Sequence, residues 1–222
     1  MYIVAIIAGA GTGTRVGSPI PKQYLSIHNR PLIYYTIKAF VTAYPTITLI
    51  LVVAPTQEPT IVLIMEQYFA THKYTLVHGG STRQQSVTNG IQAIPQQHGI
   101  VLIHDAARCM VTPALIQACV LHTATHGNAV PSMPVTDSIR QVHTAGNIAI
   151  DRSTLQAIQT PQTFEIALIK NIVQHAATSN YTDEASMLDA VGIPVHLIPG
   201  CAYNIKVTTP ADVLLASTLL QP

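Results

Sequence analysis

Tyr2-Ile3-Val4-Ala5-Ile6-Ile7 runs directly into Ala8-Gly9-Ala10-Gly11-Thr12-Gly13-Thr14-Arg15, and the reading of this junction decides the fold. A short apolar run rich in β-branched residues predicts a first strand. The three glycines at 9, 11 and 13 let the backbone that follows pass close to an anionic ligand with its N–H groups turned inward. Polyphosphate suits such a loop. A tight strand-to-loop turn with no ligand is the plainer reading, but Arg15 and Lys22 add two fixed cations just beyond the glycines, with Pro19 and Pro21 restraining the chain between them.

Two familiar phosphate motifs fail on spacing. A dinucleotide fingerprint needs glycine at the sixth place of G-x-G-x-x-G, where Thr14 stands, and the next strand candidate, ending Val53-Ala54-Pro55, offers no acidic ribose ligand. A P-loop needs G-K-[ST], whereas Lys22 lies between Pro21 and Gln23. Dehydrogenase and P-loop kinase readings are therefore set aside.

Outward from the junction, strand candidates recur at Ile47 to Ala54, Tyr74 to Val77, Ile100 to His104 and Ala129 to Met133, separated by stretches of helical period. The alternation predicts an α/β fold. Pro31 stands where the first turn of one helix would begin, with Leu32, Tyr35, Thr36 and Ala39 on its buried face, and Arg83 through Ile94 is a second amphipathic segment. Ser138 to Ile150 breaks the pattern: Thr144-Ala145-Gly146-Asn147 supplies turn chemistry between Ile139–Val142 and Ile148–Ile150. A two-stranded ribbon is marginal alone in water, so this β-arm, about 136–158 in all, is expected to pack on a second copy of the chain.

The chain of 222 residues, 48% hydrophobic, is long enough to bury one substantial core, and a single domain over 1–222 is expected. With 9% charged residues and a formal net charge of +1, it has no electrostatic footprint for nucleic acid. Its longest apolar runs fall short of the roughly 20 residues that span a bilayer, and no secretion signal is apparent at its start. Cys109, Cys119 and Cys201, odd in number and without CxxC spacing, read as free thiols in a reducing, cytoplasmic setting.

A carboxylate closes the fourth strand candidate. Ile100-Val101-Leu102-Ile103 is followed by His104-Asp105-Ala106-Ala107-Arg108, at the strand end where open α/β sheets bind ligands. Asp105 could hold a magnesium ion bridging nucleotide phosphates. It could equally be an Asp paired with Arg108, and this segment alone leaves both readings open. His104, one of ten histidines, is read as structural.

Taken in order, G-A-G-T-G-T-R with P-K-Q-Y, G-G-S-T-R-Q-Q-S-V, H-D-A-A-R, P-V-T-D-S, D-R with Q-T-P-Q-T-F, Y-T-D-E-A-S and N-I-K-V-T make one set spanning Ile3 to Leu219. The set resembles the 2-C-methyl-D-erythritol 4-phosphate cytidylyltransferase family. The resemblance implies a three-layer nucleotidyltransferase (Rossmann-like) fold with a mostly parallel twisted sheet, and a homodimer whose β-arms complete each other's sites. It also implies CTP, a polyol phosphate acceptor and Mg²⁺. Gly9, Ala10, Gly11 and Gly13 would line the triphosphate; Gly80, Ser81, Arg83 and Ser86 would recognise cytosine and ribose; Ala106 would border the nucleotide, and Asp105 would hold the metal. Arg15 and Lys22 would stabilise the transition state. Arg108, Arg152, Thr160, Thr182 and Lys206 would grip the acceptor, Arg152 and Thr160 arriving from the partner's arm region, with Ser138 also on the arm. Gly9, Cys109 and Ser138 stand where alanine, proline and threonine are usual in the family. Ribitol 5-phosphate cytidylyltransferases share the CTP site, and a nucleotide-binding module without turnover is the alternative from another class; retention of cations on both sides of the reacting phosphorus argues against the latter.

Overall fold

The computed structural model describes residues 1–11, 20–175 and 181–220 of the chain. In chain order its elements are β1 (Ile3–Ala8), the short pair β2 (Ser26–Ile27) and β3 (Arg30–Pro31), α1 (Leu32–Ala43), β4 (Thr48–Val53), α2 (Glu58–Tyr68) and β5 (Tyr74–His78). Next come α3 (Arg83–Gln92), β6 (Ile100–Asp105), α4 (Pro113–His126), β7 (Asn128–Pro134), β8 (Ile139–His143) and β9 (Gly146–Ile150). The chain closes with β10 (Gln156–Ile158), β11 (Gln162–Glu165), α5 (Ile166–His175), α6 (Glu184–Ala190), β12 (Leu197–Pro199) and α7 (Pro210–Leu219).

Among the described residues, eight strands join in one sheet in the order β10-β7-β11-β6-β1-β4-β5, with β12 also on β7. Strands β5, β4, β1 and β6 are mutually parallel; β11 runs antiparallel between β6 and β7. The central parallel strands β1, β4 and β6 carry long apolar runs because both faces are covered. Ala5, Ile7, Leu49, Leu51 and Leu102 point to the face carrying α1, α2 and α4, while Val4, Ile6, Ile50, Val52, Val101 and Ile103 meet α3, α5 and α6. This is the expected three-layer α/β fold.

Local chemistry sets the helix ends. The Thr112 side chain accepts from the Leu115 N–H and Pro113 opens α4, whose C-cap is Gly127 at φ 82°. Pro31 caps α1 rather than entering it, and α3 ends at Gln92, two residues before the expected Ile94. Gly90 lies inside α3 because a Cβ there would come within 2.8 Å of Ile6 Cγ2 and 3.1 Å of Val52 Cγ2, so the small residue lets the helix sit close on the sheet.

The β-arm forms as β8 and β9, but its turn is shorter than expected. His143 pairs with Gly146, leaving Thr144 and Ala145 as the loop and placing Gly146 and Asn147 in the strand. Val142 and Ile148 on the arm are 80% and 53% exposed.

Candidate active site

In the sheet order, β1 and β6 are the adjacent strands from which successive connections diverge, so a crevice opens at their carboxyl ends. The backbone continues the pairing one step beyond: Gly9 N–H donates to Val52 O at 2.8 Å and Ala106 N–H to Ala8 O at 3.0 Å. A cavity of about 490 Å³ lies there, walled by Gly9, Ala10, Gly11, Lys22, Gly80, Ser81, Arg83, Ser86, Asp105, Ala106 and Lys206 among others. Thus most of the residues read as nucleotide ligands converge on one space. Gly13 and Arg15 lie outside the described residues.

Gln23, which sequence reading passed over, anchors the glycine turn. Its buried amide donates to Gly9 O at 2.5 Å and Gly11 O at 3.0 Å, taking up two carbonyls whose negative ends phosphate would meet unfavourably. The G-G-S segment closes the other wall. A Cβ on Gly79 would lie 2.3 Å from Ala10 Cβ, so only glycine permits this approach. The Ser86 hydroxyl accepts from Gly80 N–H at 3.1 Å and donates to Thr82 O at 2.8 Å, shaping the loop.

Asp105 occupies the electrostatic centre. Its Oδ1 accepts from Arg83 Nε at 3.1 Å, and its Oδ2 lies 2.8 Å from Lys206 Nζ and 3.7 Å from Arg108 Nε. Burial alone would push this carboxyl up, but Arg83, Lys206 and Arg108 together hold it well below the usual carboxylate range. Arg83 is shared: its fork grips buried Glu184 at 2.7 and 3.1 Å. Glu184 is in turn placed by Gln162, whose amide donates to Asp183 Oδ2 at 2.9 Å and accepts from Ala185 N–H at 2.9 Å. No local spacing could reveal that pair, since Arg83 and Glu184 are 101 residues apart. Lys22 reaches the same wall, donating to Val207 O at 2.8 Å. Four cations, Lys22, Arg83, Arg108 and Lys206, thus face two carboxylates, leaving an excess of positive charge for an anionic ligand.

The expected acceptor residues divide. Arg108 turns inward, donating to Asn204 O at 2.8 Å and Ile158 O at 3.5 Å. Thr160, expected on an arm lent by the partner, is buried within its own chain: its hydroxyl accepts from Asp105 N–H at 3.2 Å and donates to His104 Nδ1 at 3.0 Å. Thr160 lies between β10 and β11, against the carboxyl end of β6 in its own chain. His104 Nε2 then donates to Arg108 O at 3.2 Å, and burial pulls this imidazole down to about 4, keeping it neutral. Ser138, Arg152 and Thr182 are exposed and do not line the cavity of their own chain; the Arg152 guanidinium donates to Thr136 O.

The arrangement offers charge neutralisation and backbone donors rather than acid–base catalysis. His104 has both ring nitrogens occupied, and burial pushes the nearby Cys109 thiol up to about 12. Such a site suits transfer between phosphates, where positioning and electrostatics dominate.

A model of the family described as 2-C-methyl-D-erythritol 4-phosphate cytidylyltransferase matches residues 3–222. The protein of that name from Bacteroides thetaiotaomicron is 36% identical over 217 residues, covering 98% of each chain, and that from Microcystis aeruginosa is 37% identical over 224 residues, covering 99% of this chain and 98% of the other. The crystal structure of the Thermus thermophilus protein of the same name superposes with a TM-score of 0.81 at 29% identity, covering 99% of this chain and 98% of that one. A 4-diphosphocytidyl-2C-methyl-D-erythritol synthase from Anaerococcus prevotii gives a TM-score of 0.86 at 25% identity over 100% of this chain and 99% of that one.

Proposed function

This chain belongs to the 2-C-methyl-D-erythritol 4-phosphate cytidylyltransferase family, and we propose that it transfers the cytidylyl group of CTP to 2-C-methyl-D-erythritol 4-phosphate, releasing pyrophosphate, in non-mevalonate isoprenoid precursor synthesis. The observation that carries this reading is the convergence of the glycine turn, Lys22, Lys206 and the ionised Asp105 on one cavity.

The acceptor is a phosphate monoester, so its oxygen is already nucleophilic. A bond forms from that oxygen to the α-phosphorus as the bond to the bridging oxygen of pyrophosphate breaks. No base is needed. The obstacle is repulsion between two polyanions, which cations and fixed donors reduce while alignment supplies the rest. The loop N–H groups hold the triphosphate, and Lys22, with Arg15 assigned to the same task, neutralises the charge that develops on the reacting phosphorus and the leaving group. Lys206, held on Asp105, presents its ammonium at the cavity wall. Arg108 and Thr160 act from behind, fixing the turn that carries Asp105.

The donor set fits magnesium: one ionised carboxylate borders the cavity, and each oxygen retains lone-pair capacity beyond its present partner. Asp105 would hold the ion together with nucleotide phosphates. When bound, it supplies Lewis-acid stabilisation of charge on the phosphoryl oxygens. The nearby cations disfavour a metal arriving without a polyanion, so its binding should depend on CTP.

Support for a homodimer comes from the arm. Its apolar Val142 and Ile148 lack cover, and Ser138 and Arg152 do not reach their own chain's cavity. In the dimer, each arm brings Arg152 to the partner's acceptor phosphate. A cytoplasmic setting fits the free cysteines, and no helix among the described residues is long and apolar enough to cross a membrane.

The test is pyrophosphate release from CTP and Mg²⁺ with methylerythritol 4-phosphate and ribitol 5-phosphate offered in parallel, and ATP, GTP and UTP as controls. Release should require CTP and methylerythritol 4-phosphate. Preference for ribitol 5-phosphate would reassign the acceptor, and CTP binding without release would overturn the catalytic reading.

A further inference from the structure

Toward the opposite end of the sheet's strands from the cavity, three imidazoles come together. His122 and His126 are four residues apart on the last turns of α4, on one face of the helix. His196 precedes β12 and is pinned to β7: its N–H donates to Asn128 Oδ1 at 2.8 Å and its carbonyl accepts from Val130 N–H at 2.9 Å. Asn128 pairs with Phe164, which pairs with Val101 near the start of β6, whereas the cavity lies at the other end of that strand.

The ring centroids of His122–His126, His126–His196 and His122–His196 are 4.2, 5.1 and 6.0 Å apart. One ligand nitrogen from each lies within 4.8 Å of the other two. Three ring nitrogens from two separate elements within reach of one another match the all-imidazole ligand set that a single ion can share. We propose that His122, His126 and His196 form a site for a borderline divalent transition ion, zinc in the first instance, with a water in the fourth position, clipping the end of α4 to the strand entering β12.

The ligand set is selective. Imidazole suits zinc, copper, nickel and cobalt, whereas magnesium prefers hard oxygen donors. The clip and the proposed magnesium site are therefore chemically separate. Tetrahedral coordination at about 2.0–2.1 Å places nitrogens about 3.3 Å apart, so the rings must close in from their present spacing. The exposed His126 ring has room to turn. The i, i+4 pair supplies two ligands from one rigid element, and the backbone bonds of His196 fix where the third enters.

Metal-stripped protein in excess Mg²⁺ is titrated with Zn²⁺ by calorimetry and with Co²⁺ by visible absorption. One equivalent of each should bind, cobalt showing the absorption of a tetrahedral centre. His126→Gln and His196→Gln should each weaken binding by more than the roughly 10- to 100-fold that loss of an outer hydrogen-bond partner costs. Far-ultraviolet circular dichroism and Tm of the metal-free variants, and turnover of His126→Gln with Mg²⁺, should match the parent. Absence of stoichiometric binding, or undiminished binding in both variants, would overturn the assignment.

Discussion

Replacing Asp105 with Asn removes one negative charge from among Arg83, Arg108 and Lys206 while keeping the side chain's shape. The carboxylate is only 9% exposed, so water compensates little. Breaking a buried ion pair by removing one partner typically costs about 3–5 kcal/mol. Asn Oδ1 can still accept from Arg83, but its amide would face the Lys206 ammonium donor to donor, so the lower end, about 3 kcal/mol, is expected at pH 7. With an unfolding entropy of about 2.1 cal/mol/K per residue, the 222-residue chain has roughly 0.47 kcal/mol/K in total, and Tm should fall by about 6 °C. The dependence on pH is equally specific. The Asp105 pKa is depressed on folding, so its stabilisation is full above the unfolded value of about 3.9 and is lost as pH falls from there toward the folded value. Urea unfolding of parent and Asp105→Asn should therefore show a gap that is constant near neutrality and narrows below about pH 4. A gap under about 1 kcal/mol at pH 7, or one that does not narrow in acid, would refute the claim that a buried carboxylate organises these cations.

Lys22→Ala should lose on the order of a hundredfold to a thousandfold in kcat, about 3–4 kcal/mol, if its charge acts chiefly in the transition state; steady-state pyrophosphate release measures this, and an unchanged kcat removes Lys22 from the mechanism. Arg152→Ala and Lys206→Ala should each be nearly inactive, yet refolded together as a mixture they should recover about a quarter of parent activity, because half the dimers would contain one intact site if the arm acts across the interface. No recovery would place Arg152 in its own chain's site. Under native conditions a thiol reagent should label Cys201 first, since Cys109 and Cys119 are buried and burial pushes both thiols up to about 12; equal labelling, read by mass spectrometry, would contradict that burial.

The parallel strands were legible because two-sided burial writes itself as continuous apolar sequence, as in Val4–Ile7 and Val101–Ile103. Strand β11 was not, because Gln162-Thr163-Phe164-Glu165 hides polar side chains whose partners come from far along the chain. The same limit governed the site. The glycine turn and the position of Asp105 at a strand end were legible from local chemistry, while the segment left the role of Asp105 open between metal ligand and partner of Arg108. The resemblance implies that Thr160 of the Q-T-P-Q segment grips the acceptor, yet Gln159, Thr160 and Gln162 are all buried. Gln159 holds the Cys201 backbone at 2.8 and 3.1 Å and Thr160 O accepts from Asn204 Nδ2 at 2.7 Å, bracing the stretch that leads to Lys206. Gln162 sets Glu184 against Arg83 through α6. A motif can therefore brace the wall of a cavity from behind, and one-dimensional spacing does not distinguish that from lining it.

The neutral imidazole of His104, sealed between Thr160 and Arg108, bears on how the enzyme would respond to acidification of its surroundings. With His104 near 4 and Asp105 lower still, neither of these buried groups changes its protonation between mildly acid and mildly alkaline conditions. A monoester phosphate, by contrast, takes up its second proton near pH 6. An acid limb in the rate profile near that value would then belong to the substrates' own phosphates, the acceptor monoester among them, and not to His104 or Asp105.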